Sequence, residues 1–226
     1  MAKHRREVIS TIAGAGHEVA SHGSAHERVT AHSPLSFRED VRSSKRALED
    51  VTGVEVLGYR APNFSILPGY EWAFDGLIEE GYRYDSSLFP IRRPGYGYPS
   101  APSRPHLISR SNGTLAEFPL ATTKFLNYSI PAAGGGYLRQ FPIGVIRRAF
   151  REASEREEPA TFYIHPWEVD PEQPRLPVSA FNRLRHYRGL ESALSRIELL
   201  HREFKFGPIA PYLSRLYAAK PSLGAA

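Results

Sequence analysis

Short apolar segments alternate with amphipathic ones along most of this chain, and that alternation constrains the fold more than any single residue does. At the start, Val8, Ile9 and Ile12 form a brief apolar stripe, with Gly14 and Gly16 as a helix stop. "HEVAS" (17–21) then reads as a short buried strand ended by Gly23. A helix is predicted over Ser36–Val51. Ser36 and Glu39 give a capping-box pattern, Phe37, Val41, Leu48 and Val51 share one face, and Gly53 closes it. "VLGYRAP" reads as a strand running into a loop, because Pro62 cannot donate to a ladder and holds Ala61 extended. "YEWAFDGLIEEG" is a short helix ending at Gly81, and "YRYDSS" is a strand end.

The stretch from Phe89 to Pro105 is rich in Pro, Gly, Arg and Tyr and reads as a long ordered loop. "TLAEFPL" is a strand, and "IPAAGGGYLRQFP" is a glycine-rich loop leading into a helix from about Ile143 to Arg156. "ATFYIHPW" is a strand carrying His165 at its end, and Leu190, Ala193, Leu194, Ile197, Leu200 and Phe204 form the apolar face of a C-terminal helix. Such alternation indicates an α/β fold with a mostly parallel sheet, in which chemistry gathers at the carboxyl ends of the strands. His22, Arg60, Asp85 and His165 all fall at expected strand ends.

A length of 226 residues is most economically one domain, and 12 Phe, 12 Tyr and 2 Trp are ample for a core, which argues against disorder for most of the length. The 29 basic residues are spread along the chain without a block, so a net charge of +5 does not point to nucleic acid. Having no cysteine excludes disulfides, thiolate zinc sites and a cysteine nucleophile. No apolar run is long enough to span a bilayer, and "MAKHRREVISTIAGAG" makes a poor signal peptide, so the cytoplasm is the expected location.

Three histidines crowd the stretch "GHEVASHGSAHERVT". His22 and His26 have the H-x-x-x-H spacing, and Gly23, Ser24 and Ala25 let the chain curl so that both imidazoles meet. Either they ligate a metal, with a third ligand from elsewhere, or this is a solvated His-rich loop. His165 could protonate a leaving group or simply bond backbone at a strand end. Trp167 could be a core residue or a platform for the apolar face of a sugar. Arg60 could be a surface cation or a planar donor fork aimed at a carboxylate.

"HEVASHGSAH", "GYRAPNFS" and "FYIHPWEVDPEQPRLP", in this order, resemble the NodB-homology polysaccharide deacetylases, carbohydrate esterase family 4. The tail "FNRLRHYRGLESALSRIELLHREFKFGPI" is similar to the C-terminal extension of the branch associated with exosortase and exopolysaccharide loci. The resemblance implies a distorted (β/α) barrel. It implies one deacetylase domain over residues 1–226, with 178–226 as the family-specific extension. It further implies His22 and His26 as ligands of a divalent metal, zinc in the first instance. Arg60 is implied as the arginine that orients the catalytic carboxylate, and His165 as the general acid. Asn63, Phe64 and Trp167 fall to substrate binding, with a backbone N–H near Asn63 facing the oxyanion. The implied partner is an N-acetylated polysaccharide of an exopolysaccharide or cell envelope.

The family's first motif is an aspartate-rich strand end that supplies the third ligand and the base. This chain has no aspartate before Asp40, which lies in the capped helix out of register for that role. The expectation is therefore an incomplete barrel, N-terminally truncated and missing its first strand and helix, that binds metal weakly. Glu117, Glu168 and Asp170 are alternative carboxylates that nothing in the sequence favours. Two functions follow: a metal-dependent hydrolase removing N-acetyl groups, or a catalytically inactive carbohydrate-binding remnant of the family.

Overall fold

The computed structural model describes residues 4–126 and 128–218, so residues 219–226 of the expected C-terminal extension lie outside it. It contains two compact units, Met1–Pro119 with Pro208–Ala226, and Leu120–Gly207.

The first unit is built on a four-stranded sheet. Its strands are β1 (Gly58–Tyr59), β2 (Tyr84–Asp85), β3 (His106–Arg110) and β4 (Gly113–Glu117), in the order β1-β2-β4-β3. β1, β2 and β4 run parallel, and β3 returns antiparallel to β4 as a hairpin. The register sets Tyr59 opposite Asp85, and Asp85 opposite Glu117. Tyr84 covers Gly58 so closely that an added Cβ would fall 1.9 Å from the ring, which fixes glycine there.

Two helices pack on this sheet, α2 (Pro34–Thr52) and α3 (Trp72–Glu79), and α1 (Arg6–Gly14) packs on α2. α2 begins earlier than its sequence pattern suggests. Pro34 occupies the first turn, where a missing N–H does no harm, and Ser33 caps it by accepting from Ser36 N–H. Gly53 ends the helix in the left-handed conformation. Phe37, Val41 and Leu48 face inward against Tyr59, Phe74, Leu77 and Leu115. Truncating Phe37 to alanine in such a core costs about 3–5 kcal/mol.

The expected strand over 17–21 reduces to one parallel bridge between Ser21 and Tyr59. Ser21 donates to Gly58 O at 2.8 Å and accepts from Arg60 N–H at 2.9 Å. β1 is only two residues long before the turn at Pro62, so the segment has nothing further to pair with. The C-terminal helix α8 (Leu213–Ala218) completes this unit, burying Leu213 with Tyr84, Ala116 and Phe118.

The second unit opens with a hairpin the sequence reading did not separate from its surroundings, β5 (Thr122–Phe125) with β6 (Tyr128–Pro131). The helices α4 (Gly135–Gln140), α5 (Ile143–Glu155), α6 (Ala180–Tyr187) and α7 (Ala193–Glu203) follow. α5 buries Ile146, Ala149, Phe150 and Ala153, and Phe204 meets the Phe150 ring edge-on at 5.2 Å. Leu194, expected on the apolar face of the last helix, is 54% exposed, while Leu200 is buried. "ATFYIHPW" is not a regular strand: only Thr161 pairs, bridging Leu120. The chain then turns at Pro166 into a short 3-10 helix, Pro166–Val169, so His165 caps a helix rather than ending a strand.

Candidate functional site

In the first unit, Gly23 turns the chain at φ +78° and His26 lies at φ +57°, so residues 22–26 curl back. The curl brings the two imidazoles edge-to-face with centroids 5.0 Å apart. His22 Nδ1 is 2.6 Å from the Arg60 carbonyl oxygen. A carbonyl only accepts, so Nδ1 carries the hydrogen, and in the neutral imidazole the lone pair is then on Nε2, the arrangement of a metal-binding histidine oriented by a backbone partner. Two residues of α2, one turn apart, hold the curl. Asp40 accepts from Ser24 N–H at 3.0 Å and Ala25 N–H at 2.8 Å, and Ser44 hydrogen-bonds Ser21 through their hydroxyls at 2.8 Å. A Cβ on Gly23 would fall 2.8 Å from the Asp40 carboxylate, so glycine leaves room for that contact.

Arg60 donates through Nε to Ser86 O at 2.9 Å and through Nη2 to Ser86 Oγ at 2.7 Å. Ser86 Oγ passes its own hydrogen to Phe118 O at 2.7 Å, and Ala61 N–H donates to Ser87 Oγ at 2.7 Å. "DSS" at the end of β2 therefore seats the whole "RAP" turn. Below it lie Asp85 and Glu117, side by side in register and both fully buried. Asp85 accepts from Ser87 Oγ at 2.6 Å and Ser87 N–H at 3.0 Å, and Glu117 Oε1 accepts from Leu88 N–H at 3.0 Å. Burial, then the Asp85 charge, pushes the Glu117 carboxyl well above its ordinary range, and Arg60 only partly offsets this. Glu117 Oε2 is buried with no hydrogen-bond partner among the described residues, and the carboxyl lies in register with the Asp85 charge. Burial and the facing charge thus both favour the protonated form of Glu117.

Asn63 and Phe64 sit on the 3-10 turn Pro62–Phe64 with φ of 55° and 51°. Asparagine tolerates the left-handed region, but phenylalanine there is strained. Phe64 is held by an edge-on contact with Phe89 at 5.7 Å and by donating its N–H to Ala61 O at 3.1 Å. Among the described residues, non-glycine positive φ occurs at His26, Asn63, Phe64, Leu126 and Glu157. Three of these five belong to the candidate site, the clustering that stored strain shows at functional positions.

In the second unit, His165 projects from the start of the 3-10 helix, its side chain 53% exposed. Glu168 is buried beneath it. Glu168 Oε2 accepts from His165 N–H at 3.0 Å and lies 3.1 Å from His165 Nδ1, while Oε1 pairs with Arg139 Nη2 at 3.2 Å. Burial raises the Glu168 carboxyl, the His165 bonds and the Arg139 charge lower it, and the net lies below its ordinary value. Arg139 is itself buried and donates through Nη1 to His186 O and Arg188 O at 2.7 and 2.8 Å. Trp167 stacks on His186 at 4.4 Å and carries the Arg139 guanidinium 5.2 Å from its ring centre. His165 also stacks on it at 5.7 Å, so its π surface is already shared with three protein groups.

The three carboxylates weighed as stand-ins for the missing aspartate are each engaged: Glu117 with Asp85, Glu168 with Arg139 and His165, and Asp170 with the N–H of Glu172 at 3.1 Å. The residues that sequence reasoning missed are those that organise the rest, namely Asp40, Ser44, Ser86, Ser87 and Arg139. Asp85, beside them, was legible as a charge at the end of an apolar strand.

Two family models match the chain, one described as polysaccharide deacetylase over residues 1–70, the other as a domain of unknown function, DUF3473, over residues 86–214. The chain belongs to the DUF3473 family, whose model covers more than half of it, and its first 70 residues match the polysaccharide deacetylase model. The deacetylase match contains His22, His26, Arg60, Asn63 and Phe64, and the second match contains His165 and Trp167. A peptidoglycan deacetylase of Helicobacter pylori is 32% identical over 87 residues, which are 36% of this chain and 27% of that protein. The chain thus spans about a quarter of the length of that curated relative. A crystal structure from Mycobacterium smegmatis, assigned as a polysaccharide deacetylase, aligns with a TM-score of 0.60 at 21% identity, covering 100% of this chain and 71% of that one. One from Pseudomonas aeruginosa with the same assignment gives 0.55 at 15% identity, covering 99% and 66%. These likenesses establish the fold class, a mixed α/β chain of the deacetylases' (β/α) barrel type.

Deacetylases of the polysaccharide deacetylase family are generally metal-dependent. The imidazoles of His22 and His26 suit such an ion by donor type and by their mutual approach. Among the described residues no group of three His, Asp or Glu side chains comes together to hold one. The fit is therefore partial, two ligands of the usual three or four.

Proposed function

We propose that this chain carries the metal-binding and proton-donating elements of a hydrolase that removes N-acetyl groups from a polysaccharide of the exopolysaccharide or envelope class. The observation that carries this reading is the His22–His26 curl, with His22 Nε2 left as the lone-pair nitrogen by the Arg60 carbonyl and the curl clamped by Asp40. A divalent ion bound there, zinc in the first instance, supplies Lewis-acid polarisation of the amide carbonyl. Arg60, seated on Ser86, puts a fixed positive charge over the buried Asp85–Glu117 pair and beside the turn bearing Asn63 and Phe64. His165 supplies the proton for the departing amine. The strained turn at Asn63 and Phe64 and the edge of Trp167 are assigned to substrate contact.

A second reading is favoured by the partial ligand set: a carbohydrate-binding member of the family without turnover. Zinc calorimetry on the purified chain, with deacetylation of N-acetylglucosamine oligomers assayed in parallel, separates the two. One equivalent of zinc bound by the parent and lost in His22→Ala supports the site, and release of acetate supports the hydrolase. Zinc binding unchanged in His22→Ala overturns the site assignment. Oligomer binding with no acetate released moves the chain to the second reading.

A further inference from the structure

The glycine run "GGG" at 134–136 and the buried arginine of α4 take no part in the function proposed above, yet both converge on one carboxylate. A Cβ on Gly135 would fall 2.2 Å from Glu168 Oε2 and 2.6 Å from Oε1. Glycine at 135 thus opens the space that the carboxylate fills. Arg139, one turn further along α4, meets Glu168 Oε1 at 3.2 Å with both side chains about 2–3% exposed. Glu168 is thereby fixed in place from behind and from one side. Its remaining oxygen, Oε2, points at His165 and takes the backbone N–H and the ring Nδ1 together.

We propose that Glu168, clamped by Arg139 and given room by Gly135, is a positioning residue that holds His165 in its Nδ1–H tautomer and makes Nε2 the proton-transfer atom. This rests on the reading of His165 as proton donor. A carboxylate only accepts hydrogen bonds, so against Oε2 the ring nitrogen must carry its hydrogen. The exposed imidazole then has one atom for chemistry, Nε2. For this step His165 is the imidazolium, with hydrogens on both nitrogens; when the amide carbon–nitrogen bond breaks, its electron pair stays with the leaving nitrogen and takes the Nε2 proton. His165 is left neutral, with its Nδ1–H still on Glu168.

Long-range nitrogen–proton correlation spectra of the 15N-histidine-labelled chain above pH 8 read the tautomer directly, without substrate or metal. The expected result is His165 as Nδ1–H in the parent. Glu168→Gln is expected to invert it. Arg139 draws the amide oxygen toward its guanidinium, the amide NH2 then faces Nδ1, and Nδ1 becomes an acceptor. Glu168→Ala removes the acceptor altogether and is also expected to lose the Nδ1–H form. His165 found as Nε2–H in the parent overturns the proposal with no variant needed, as does an unchanged Nδ1–H signal in a folded Glu168→Gln or Glu168→Ala chain. The Nδ1–H tautomer in a parent that releases no acetate would count against the hydrolase reading and leave this one standing.

Discussion

The carboxylate of Asp40 accepts the backbone N–H of Ala25 at 2.8 Å, and that of neighbouring Ser24 at 3.0 Å, so a side chain of α2 fixes the curl that carries His22 and His26. The bond joins residues fifteen apart in sequence and replaces the backbone pairing that a curled segment cannot make for itself.

Asp40→Ala is therefore expected to lower stability by about 1.5–3 kcal/mol, the range for hydrogen bonds to a charged group. It should also weaken zinc binding by roughly 10–100-fold, as removal of groups that orient metal ligands does. Denaturant unfolding and calorimetry measure the two effects. Zinc affinity equal to the parent's in a destabilised variant would show that the histidine curl holds its shape without Asp40.

The Asp85–Glu117 pair sets a pH dependence of defined sign. An unfolded glutamate releases its proton around 4.5, whereas the buried Glu117 keeps it to a much higher pH. Over that window the folded chain holds more protons than the unfolded one. Stability from this group is complete below 4.5 and declines as pH rises through the folded value. Glu117→Gln copies the protonated form, with an oxygen for the Leu88 N–H and an NH2 for Asp85. Its stability is expected to stay level where the parent declines, so the two curves diverge as pH rises. Parallel unfolding curves between pH 5 and 9 would rule out a raised Glu117 carboxyl. Asp85→Asn removes an acceptor oxygen that the Ser87 donors face and is expected to cost about 1.5–3 kcal/mol.

The Arg139–Glu168 pair behaves in the opposite sense. Glu168 is held below the ordinary 4.5, so its contribution is present above that value and lost as pH falls through the folded one. Both side chains are nearly inaccessible, so removing one strands the other as a buried charge. Arg139→Met alone is expected to destabilise by about 3–5 kcal/mol. The double variant Arg139→Met with Glu168→Met should recover a large part of that loss, because neither charge remains. Additive losses in the unfolding free energies would mean that the pair is not coupled.

Much of the architecture could be read from residue order alone. The apolar faces of α2, α3 and α5, the stops at Gly53 and Gly81, and the α/β class follow from periodicity and capping, which act over a few residues. The candidate residues His22, His26, Arg60, Asn63, Phe64 and His165 were likewise visible as polar groups at the ends of apolar runs or in family motifs. What the sequence could not determine is which groups meet. Asp40 looked like one more charge on a helix, and nothing local says that it caps a loop fifteen residues away. "DSS" gave no sign that Ser86 seats Arg60, nor "AEF" that Glu117 would lie against Asp85, because the first depends on the parallel register of β1 with β2 and the second on that of β2 with β4. The strands expected at 17–21 and 160–167 shrank to single bridges because strand length is set by the available partner rather than by the segment's own pattern. Residue chemistry and local periodicity fixed the inventory of this protein. Only the tertiary structure, which pairs groups across tens of residues and buries some of them beyond water, decided which carboxyls are buried together and which oxygen the Nδ1 of His22 and of His165 faces.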